Sequence, residues 1–299
     1  MAKITANAIQ LEYESFGAPE APVILLIMGL GAQLTRWTVP FIELLVSRGY
    51  RVIRYDNRDI GLSTKFDAAG VPNLRQLVMA MALGQRVNVP YTLDHMAADA
   101  VGLLDALQIP RAHIVGASMG GMIAQLVAAD YPQRVLSLTS MMSTTGNPML
   151  PPSTRAAAEA LYAYTAAPNP QDLEAYANYG VKTAAIIGSP RYPADPAAVR
   201  ERVLADAARN YSPDGVTRQL AAVTVSGDRR ARLQKITAPT VVLHGAEDPL
   251  VPVQGGEDTA ACIRNAELRI IPGMGHDFPV ELYPAIVDAI MRAVQRSSP

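Results

Sequence analysis

The segment that most restricts the fold is residues 112–129, where a short apolar run passes through Gly-Ala-Ser-Met-Gly-Gly (residues 116–121) into a helix-forming stretch. Between a strand and a helix, Gly-x-Ser-x-Gly is typical of a serine on a strained turn with an exposed hydroxyl. Gly116 and Gly120 lack the Cβ atoms that would clash where the strand folds back onto the helix. The pattern predicts that Ser118 is a nucleophile; a Gly-rich turn without chemistry is the alternative.

Short apolar runs closed by Gly, Asp or Pro recur along the chain and predict buried parallel strands. They are residues 23–28, 51–55, 112–115, 135–141, 240–243 and 268–271. Apolar and polar residues alternate over 9–15, which predicts a half-buried, antiparallel strand at the start. Between these runs, apolar residues recur with the spacing of a helix face. The clearest example extends from Met96 to Leu107 and predicts a helix that ends before Pro110. Alternating strands and helices predict an α/β protein with a mostly parallel, doubly wound sheet.

This alternation stops between residues 143 and 235, where Ala- and Tyr-rich helical stretches are broken by prolines. No strand-like run occurs there, and the parallel pattern resumes at Pro239. We therefore expect a core of residues 1–142 and 236–299, with residues 143–235 inserted as a helical cap over the sheet. A second irregular segment, residues 64–90, is a candidate addition to that cap.

A serine is a poor nucleophile without a base, and the chain contains only four histidines. His95 lies inside a predicted helix, His113 starts the strand that leads to the serine, and His244 ends a strand, so each is expected to be structural. His276 follows the last strand in a Gly-rich loop (Pro-Gly-Met-Gly-His-Asp, residues 272–277), where a side chain can reach over the carboxyl edge of the sheet. His276 is the predicted base.

The acid that orients the base is expected on another loop at the same edge. The segment Leu-His-Gly-Ala-Glu-Asp-Pro (residues 243–249) follows a strand and supplies Asp248, which a turn-fixing proline follows. Glu247 is the competing candidate. The resulting chain order of Ser118, Asp248 and His276 differs from the order in chymotrypsin-like and subtilisin-like proteases.

Negative charge that develops on a reacting oxygen requires backbone donors, and two are predicted. The N–H of Met119 lies at a helix N-terminus, where the helix dipole favours an anion. The loop after the strand 23–28 reads Met-Gly-Leu-Gly (residues 28–31), and the N–H of Leu30 is the second candidate.

Composition limits the partners and the compartment. The formal net charge is −1 with no run of like charge, which excludes the basic surface of a nucleic-acid binder and favours a small, largely uncharged partner. The single cysteine, Cys262, forms no intramolecular disulfide, and no signal-peptide pattern opens the chain, so we expect a cytoplasmic protein. The longest apolar stretch, residues 22–30, is shorter than the ~20 residues that span a bilayer. Nothing in the sequence indicates an oligomeric state.

Four motifs carry a resemblance to a known family. They are residues 28–31 (Met-Gly-Leu-Gly), 55–63 (Tyr-Asp-Asn-Arg-Asp-Ile-Gly-Leu-Ser), 116–125 (Gly-Ala-Ser-Met-Gly-Gly-Met-Ile-Ala-Gln) and 244–248 (His-Gly-Ala-Glu-Asp). Over nearly its whole length the chain resembles the α/β-hydrolase superfamily of serine hydrolases. More narrowly, it is similar to the branch that contains aclacinomycin methylesterase and many carboxylesterases. Relatives often carry His-Gly where this chain has Met28-Gly29, which leaves the backbone donor intact but removes that side chain's hydrogen bond.

The resemblance implies a carboxylesterase that forms an acyl-enzyme on small, largely apolar esters and requires no metal or organic cofactor. Cofactor-free perhydrolase or haloperoxidase-like activity, iminopeptidase activity and carbon–carbon bond hydrolysis remain alternatives because they use the same three residues. A slow-turnover, receptor-like binding protein is a further alternative. The serine at the turn argues against epoxide hydrolase and haloalkane dehalogenase chemistry, which places an aspartate there.

Overall fold

The described part of the chain is built around one eight-stranded β-sheet. The computed structural model describes residues 2–163 and 172–297. In these residues the strands are β1 (Ala2–Ala6), β2 (Ile9–Phe16), β3 (Val23–Ile27), β4 (Arg51–Tyr55), β5 (Ala112–Ala117), β6 (Val135–Met141), β7 (Thr240–Gly245) and β8 (Glu267–Ile271). Their order is β1-β2-β4-β3-β5-β6-β7-β8. The β1–β2 and β2–β4 pairs are antiparallel and all pairs from β4 to β8 are parallel, so the predicted mostly parallel α/β sheet is confirmed.

Helices connect the strands and cover both faces of the sheet. They are α1 (Val39–Val46), α2 (Leu74–Ala82), α3 (Leu93–Ala106), α4 (Met119–Asp130), α5 (Arg155–Ala163), α6 (Leu173–Ile187), α7 (Pro196–Arg209), α8 (Pro213–Ser226), α9 (Arg230–Leu233), α10 (Gln254–Cys262) and α11 (Tyr283–Gln295). Helices α3 and α4 bury their apolar sides in one core cluster, and α1 and α11 bury theirs in a second cluster across the sheet. The arrangement is doubly wound, as the alternation predicts.

Three of the four strands whose loops carry the candidate residues are the most buried part of the sheet; β8, which precedes His276, is partly exposed. Every residue of β3, β5 and β7 is buried, as expected for parallel strands covered on both faces by helices. Because β3, β5 and β7 all run in the same direction, their carboxyl ends meet at one edge of the sheet. The loops that follow these strands therefore lie close together.

The antiparallel end of the sheet differs from the expectation in two ways. Strand β1 was not predicted, although it pairs with β2 from Ala2 opposite Tyr13 to Ala6 opposite Ile9. Glu12, which the alternation places on a polar face, is buried. The segment after β4 covers this part of β2, since the Glu12 N–H donates to Ser63 Oγ at 2.9 Å and the Glu12 carbonyl accepts from Asp56 N–H at 2.9 Å.

Between β6 and β7 the described residues form α5 to α9 and no strand. Residues 164–171 of the predicted insertion, and residues 1, 298 and 299 of the predicted core, lie outside the described residues. Helix α6 packs against α5 and α7, whereas α8 packs against α2 and α3. Buried Arg218 of α8 forms two hydrogen bonds with the buried carboxylate of Asp59, at 2.9 and 2.8 Å, and a further one with Asp67. A buried ion pair between Arg218 and Asp59 thus attaches α8 to the core.

Within the described residues, no helix combines the length and the apolar character needed to cross a bilayer.

Candidate active site

Ser118 stands at the turn between β5 and α4. Its backbone has φ 55° and ψ −121°, a left-handed conformation that is strained for a residue with a side chain. A Cβ at Gly116 would lie 2.1 Å from the Gly120 carbonyl oxygen, and one at Gly120 would lie 2.1 Å from the Ile27 carbonyl oxygen. Helix α4 therefore approaches its own strand β5 and the neighbouring strand β3 more closely than a side chain at either glycine permits, as the motif predicts.

Two further side chains complete a hydrogen-bonded chain with this serine. Nε2 of His276 lies 3.0 Å from Oγ of Ser118, and Nδ1 of His276 lies 2.7 Å from Oδ2 of Asp248. The three side chains come from the loops after β5, β7 and β8. The structure thus brings the three predicted residues together, and the distances suit proton transfer from the serine to the imidazole.

Asp248 and Glu247 have different partners. Oδ1 of Asp248 accepts hydrogen bonds from the N–H groups of Leu250 and Val251 at 2.9 and 2.8 Å, which leaves Oδ2 facing His276. Glu247 instead accepts from the N–H of Gly273 at 2.5 Å, in the loop that carries the histidine. Of the two carboxylates that the sequence leaves open, only Asp248 contacts the imidazole.

The other three histidines have structural contacts. His95 lies in the first turn of α3, where its Nδ1 accepts from the N–H of Thr92 at 3.2 Å. Nδ1 of buried His113 lies 2.9 Å from Oγ of Ser137, and burial lowers the pKa of His113 to about 4. Nε2 of His244 lies 2.8 Å from the carbonyl oxygen of Val251, beside the Asp248 turn, and burial also lowers the pKa of His244.

The two candidate oxyanion donors flank the serine. Met119 is the first residue of α4, and neither its N–H nor that of Leu30 donates to another group within residues 2–163 and 172–297. Gly29 brings the β3 loop against the serine, since a Cβ there would lie 3.1 Å from the Ser118 Cβ and 3.6 Å from its Oγ. Leu30 and Met119 line the same cavity as Ser118 and His276. Within the described residues, both N–H groups are therefore available as hydrogen-bond donors beside the cavity.

Buried polar side chains hold the loop that carries Leu30. Nδ2 of Asn57 donates to the Met28 carbonyl at 2.8 Å, and Oδ1 of Asp56 accepts from the Leu34 N–H at 2.7 Å. Gln219 of α8 accepts from the Gly31 N–H at 2.9 Å. Asn57 and Asp56 belong to the motif at residues 55–63, whereas Gln219 lies in none of the four motifs.

The inserted segment also holds the loop that carries His276. The His276 N–H donates to the carbonyl of Ile187 at 2.7 Å, and the Gly275 N–H donates to Oγ of Ser189 at 2.9 Å. The same hydroxyl donates to Oδ1 of Asp277 at 2.5 Å. Burial raises the pKa of Asp277, and the Ser189 hydroxyl opposes that shift. Sequence reasoning missed Ser189 because no local motif marks it.

A cavity of about 1010 Å³ opens over Ser118. Its lining is mostly apolar and comes from both the sheet loops and the inserted helices, including Leu161, Val203 and Leu220. This volume is at the upper end of the range for pockets that enclose small organic molecules. Across the described ranges, no three His, Cys, Asp or Glu side chains are grouped as metal ligands would be.

Comparisons with known proteins agree with this fold. The chain is 29% identical to the rhodomycin D methylesterase of Streptomyces peucetius, over 96% of this chain and 95% of that protein. It is 26% identical to 3-oxoadipate enol-lactonase 2 of Acinetobacter baylyi, over 98% and 96% of the two chains. Among solved structures, a hydrolase from Pseudomonas aeruginosa is 28% identical and superposes with a TM-score of 0.69, over 97% of each chain.

The family model for the alpha/beta hydrolase fold matches residues 22–281, which span every strand from β3 to β8 and include Ser118, Asp248 and His276. A match of this extent, with the sheet order and the relatives described above, settles the family. The chain belongs to the α/β-hydrolase fold family.

Proposed function

We propose that this protein is a serine carboxylic-ester hydrolase that works through an acyl-enzyme, with Ser118 as nucleophile, His276 as base and Asp248 as the orienting acid. The observation that carries the proposal is the continuous chain of hydrogen bonds from Asp248 through His276 to Ser118 beside a mostly apolar cavity. The names of two relatives, a methylesterase and an enol-lactonase, support an ester or lactone as the substrate.

The hydrogen bonds define the protonation state that catalysis needs. The carboxylate of Asp248 accepts from Nδ1–H of His276, so the lone pair of Nε2 faces the serine hydroxyl. Oγ of Ser118 attacks the ester carbonyl carbon while its proton moves to Nε2. The carboxylate stabilises the imidazolium that forms and does not take the proton.

The oxygen of the tetrahedral intermediate accepts hydrogen bonds from the N–H groups of Leu30 and Met119. When the intermediate collapses, the imidazolium donates its proton to the departing alcohol oxygen and the acyl group stays on Ser118. His276 then removes a proton from water, which attacks the acyl carbon, and the acid leaves as the serine recovers its proton. Each backbone donor is worth about 3 kcal/mol of transition-state stabilisation in such sites.

In this proposal, residues 143–235 form a cap that selects the substrate. Helix α2 of the segment 64–90 packs against α8 but does not line the cavity. The cavity walls from α5, α7 and α8 are largely apolar side chains such as Leu161, Val203 and Leu220. An apolar wall of this kind favours small, largely apolar esters. None of the four histidines lies within the cap.

The test is to measure the steady-state hydrolysis rate, over many turnovers, with p-nitrophenyl esters of increasing acyl chain length and with a panel of methyl esters. Ser118→Ala should abolish labelling by a fluorophosphonate probe and lower ester turnover by several orders of magnitude, because the hydroxyl is the attacking group. His276→Ala should match that loss. His95→Ala is the matched control and should retain activity, because the exposed His95 ring hydrogen-bonds Thr92 at the start of α3 and does not line the cavity. Labelling that persists in Ser118→Ala would contradict the assignment, and release of only one equivalent of product would indicate a receptor-like protein.

A further inference from the structure

Gln219 is a fully buried residue of α8 that joins two loops of the core. Its Oε1 accepts from the Gly31 N–H at 2.9 Å, and its Nε2 donates to the carbonyl of Arg58 at 2.8 Å. One partner is an N–H and the other a carbonyl, so the orientation of the amide is fixed by its neighbours. We propose that Gln219 is a positioning residue for the oxyanion donor Leu30, an inference that rests on the proposed ester hydrolysis.

The geometry of the β3 loop explains why Leu30 needs such support. Gly31 has a φ of +67°, and glycine reaches many other conformations at little cost. The Leu30 N–H lies between two anchored groups, the Met28 carbonyl that Asn57 holds and the Gly31 N–H that Gln219 holds. Without Gln219 the loop keeps the Asn57 bond, the bond from the Ala32 N–H to the Gly29 carbonyl at 3.3 Å and the Asp56 bond to the Leu34 N–H. The Gly31 N–H, one residue after the donor, loses the partner that fixes its direction.

Gln219 is itself held rigidly on both sides. The preceding residue, Arg218, pairs with buried Asp59 through two hydrogen bonds. Arg58, whose carbonyl accepts from Gln219, forms a buried ion pair with Asp99 at 2.6 and 2.7 Å. A side chain anchored by two buried charge pairs can transmit the position of α8 to the oxyanion loop.

The consequence is a link between the inserted helices and the rate of reaction. Catalytic donors act through their fit to the transition state, so a misplaced donor lowers kcat more than it raises KM. Complete loss of an oxyanion donor lowers kcat by about 10²–10³-fold. Gln219→Leu leaves the Leu30 donor present but poorly placed, so we expect kcat to fall by roughly ten- to a hundredfold with KM nearly unchanged.

The experiment compares two variants. Gln219→Leu removes both hydrogen bonds. Thr217→Val is the matched control, because buried Thr217 donates only to Pro213 of its own helix, at 3.1 Å. If Gln219→Leu does not fold, the shorter Gln219→Asn replaces it, since its amide no longer reaches the Gly31 N–H.

The deciding measurement is the affinity for an alkyl trifluoromethyl ketone, to which Ser118 adds to form a tetrahedral oxyanion. Its inhibition constant should rise in parallel with the fall of kcat/KM in Gln219→Leu and stay near the wild-type value in Thr217→Val. Equal inhibition constants for Gln219→Leu and Thr217→Val would overturn the inference and leave ester hydrolysis standing. If the wild type hydrolyses no ester, the proposed function fails, and the rate of fluorophosphonate inactivation in the same variants still tests the position of the donor.

Discussion

Asn in place of Asp248 keeps the size of the side chain but reverses one hydrogen bond. Oδ1 of Asp248 accepts from the N–H groups of Leu250 and Val251, so the amide oxygen of Asn must take that position. The NH₂ group then occupies the Oδ2 position, 2.7 Å from Nδ1 of His276. Since NH₂ only donates, Nδ1 must become an acceptor and the ring proton must move to Nε2.

The displaced proton blocks the reaction at the serine. Nε2–H then points at Oγ of Ser118 across 3.0 Å and has no lone pair to accept the hydroxyl proton. The imidazolium also loses its carboxylate partner. A wrong tautomer of this kind lowers kcat by about 10⁴-fold, which corresponds to about 5.5 kcal/mol in the activation free energy.

The assay is kcat for a p-nitrophenyl ester at one fixed pH for all variants, with thermal unfolding as the test of folding. The two turn hydrogen bonds survive in Asp248→Asn, so the melting temperature should change little. Glu247→Gln is the control, because Gln keeps an acceptor for the Gly273 N–H. Its kcat should fall by no more than about tenfold, the effect of one neutral hydrogen bond. If Asp248→Asn retains kcat within tenfold, or Glu247→Gln is the more damaging change, the orienting acid is not Asp248.

Two further outcomes follow from the core and from the cavity wall. Burial lowers the pKa of His113 to about 4, below the 6.5 of the unfolded chain, so its contribution to stability is complete above pH 6.5 and declines as the pH falls towards 4. In urea unfolding, the free energy of unfolding of the wild type should fall by about 2 kcal/mol more between pH 7 and pH 5 than that of His113→Gln. Equal decreases in the two proteins would contradict this prediction. Leu161→Ala widens the cavity and should shift relative kcat/KM towards longer acyl chains by roughly ten- to a hundredfold, while Ser118 still reacts with a fluorophosphonate. An unchanged ranking of esters, or loss of labelling in a folded variant, would contradict the proposal that residues 143–235 select the substrate.

Local sequence signals predicted the sheet and the candidate residues on its carboxyl edge. The apolar runs predicted β3 to β8 and the alternation predicted β2, each within a few residues of the observed bounds. Parallel strands covered on both faces, such as β3, are continuously apolar. Ser118 lies in a motif that only a strand–turn–helix accommodates. His276 followed by elimination, since the other three histidines fall within or at the ends of predicted elements.

Other features depend on contacts between segments that are distant in the sequence. Strand β1 carries no strong periodicity and is defined by its pairing with β2. Glu12 is buried because the segment after β4 covers it, which an alternating pattern does not show. Glu247 and Asp248 are equivalent as residue types, and only the direction of the turn after β7 places one of them against His276.

By itself, the sequence determined the α/β sheet, the strained serine turn and the residue types that follow each central strand, because strand, turn and helix preferences are local. Tertiary structure alone decided what holds those loops in place. Gln219 reaches Gly31 across 188 residues of sequence, and Ser189 reaches Gly275 across 86. A single buried side-chain hydrogen bond leaves no periodicity and no motif in the sequence. It can be recognised only in the folded protein, where its donor and acceptor come together.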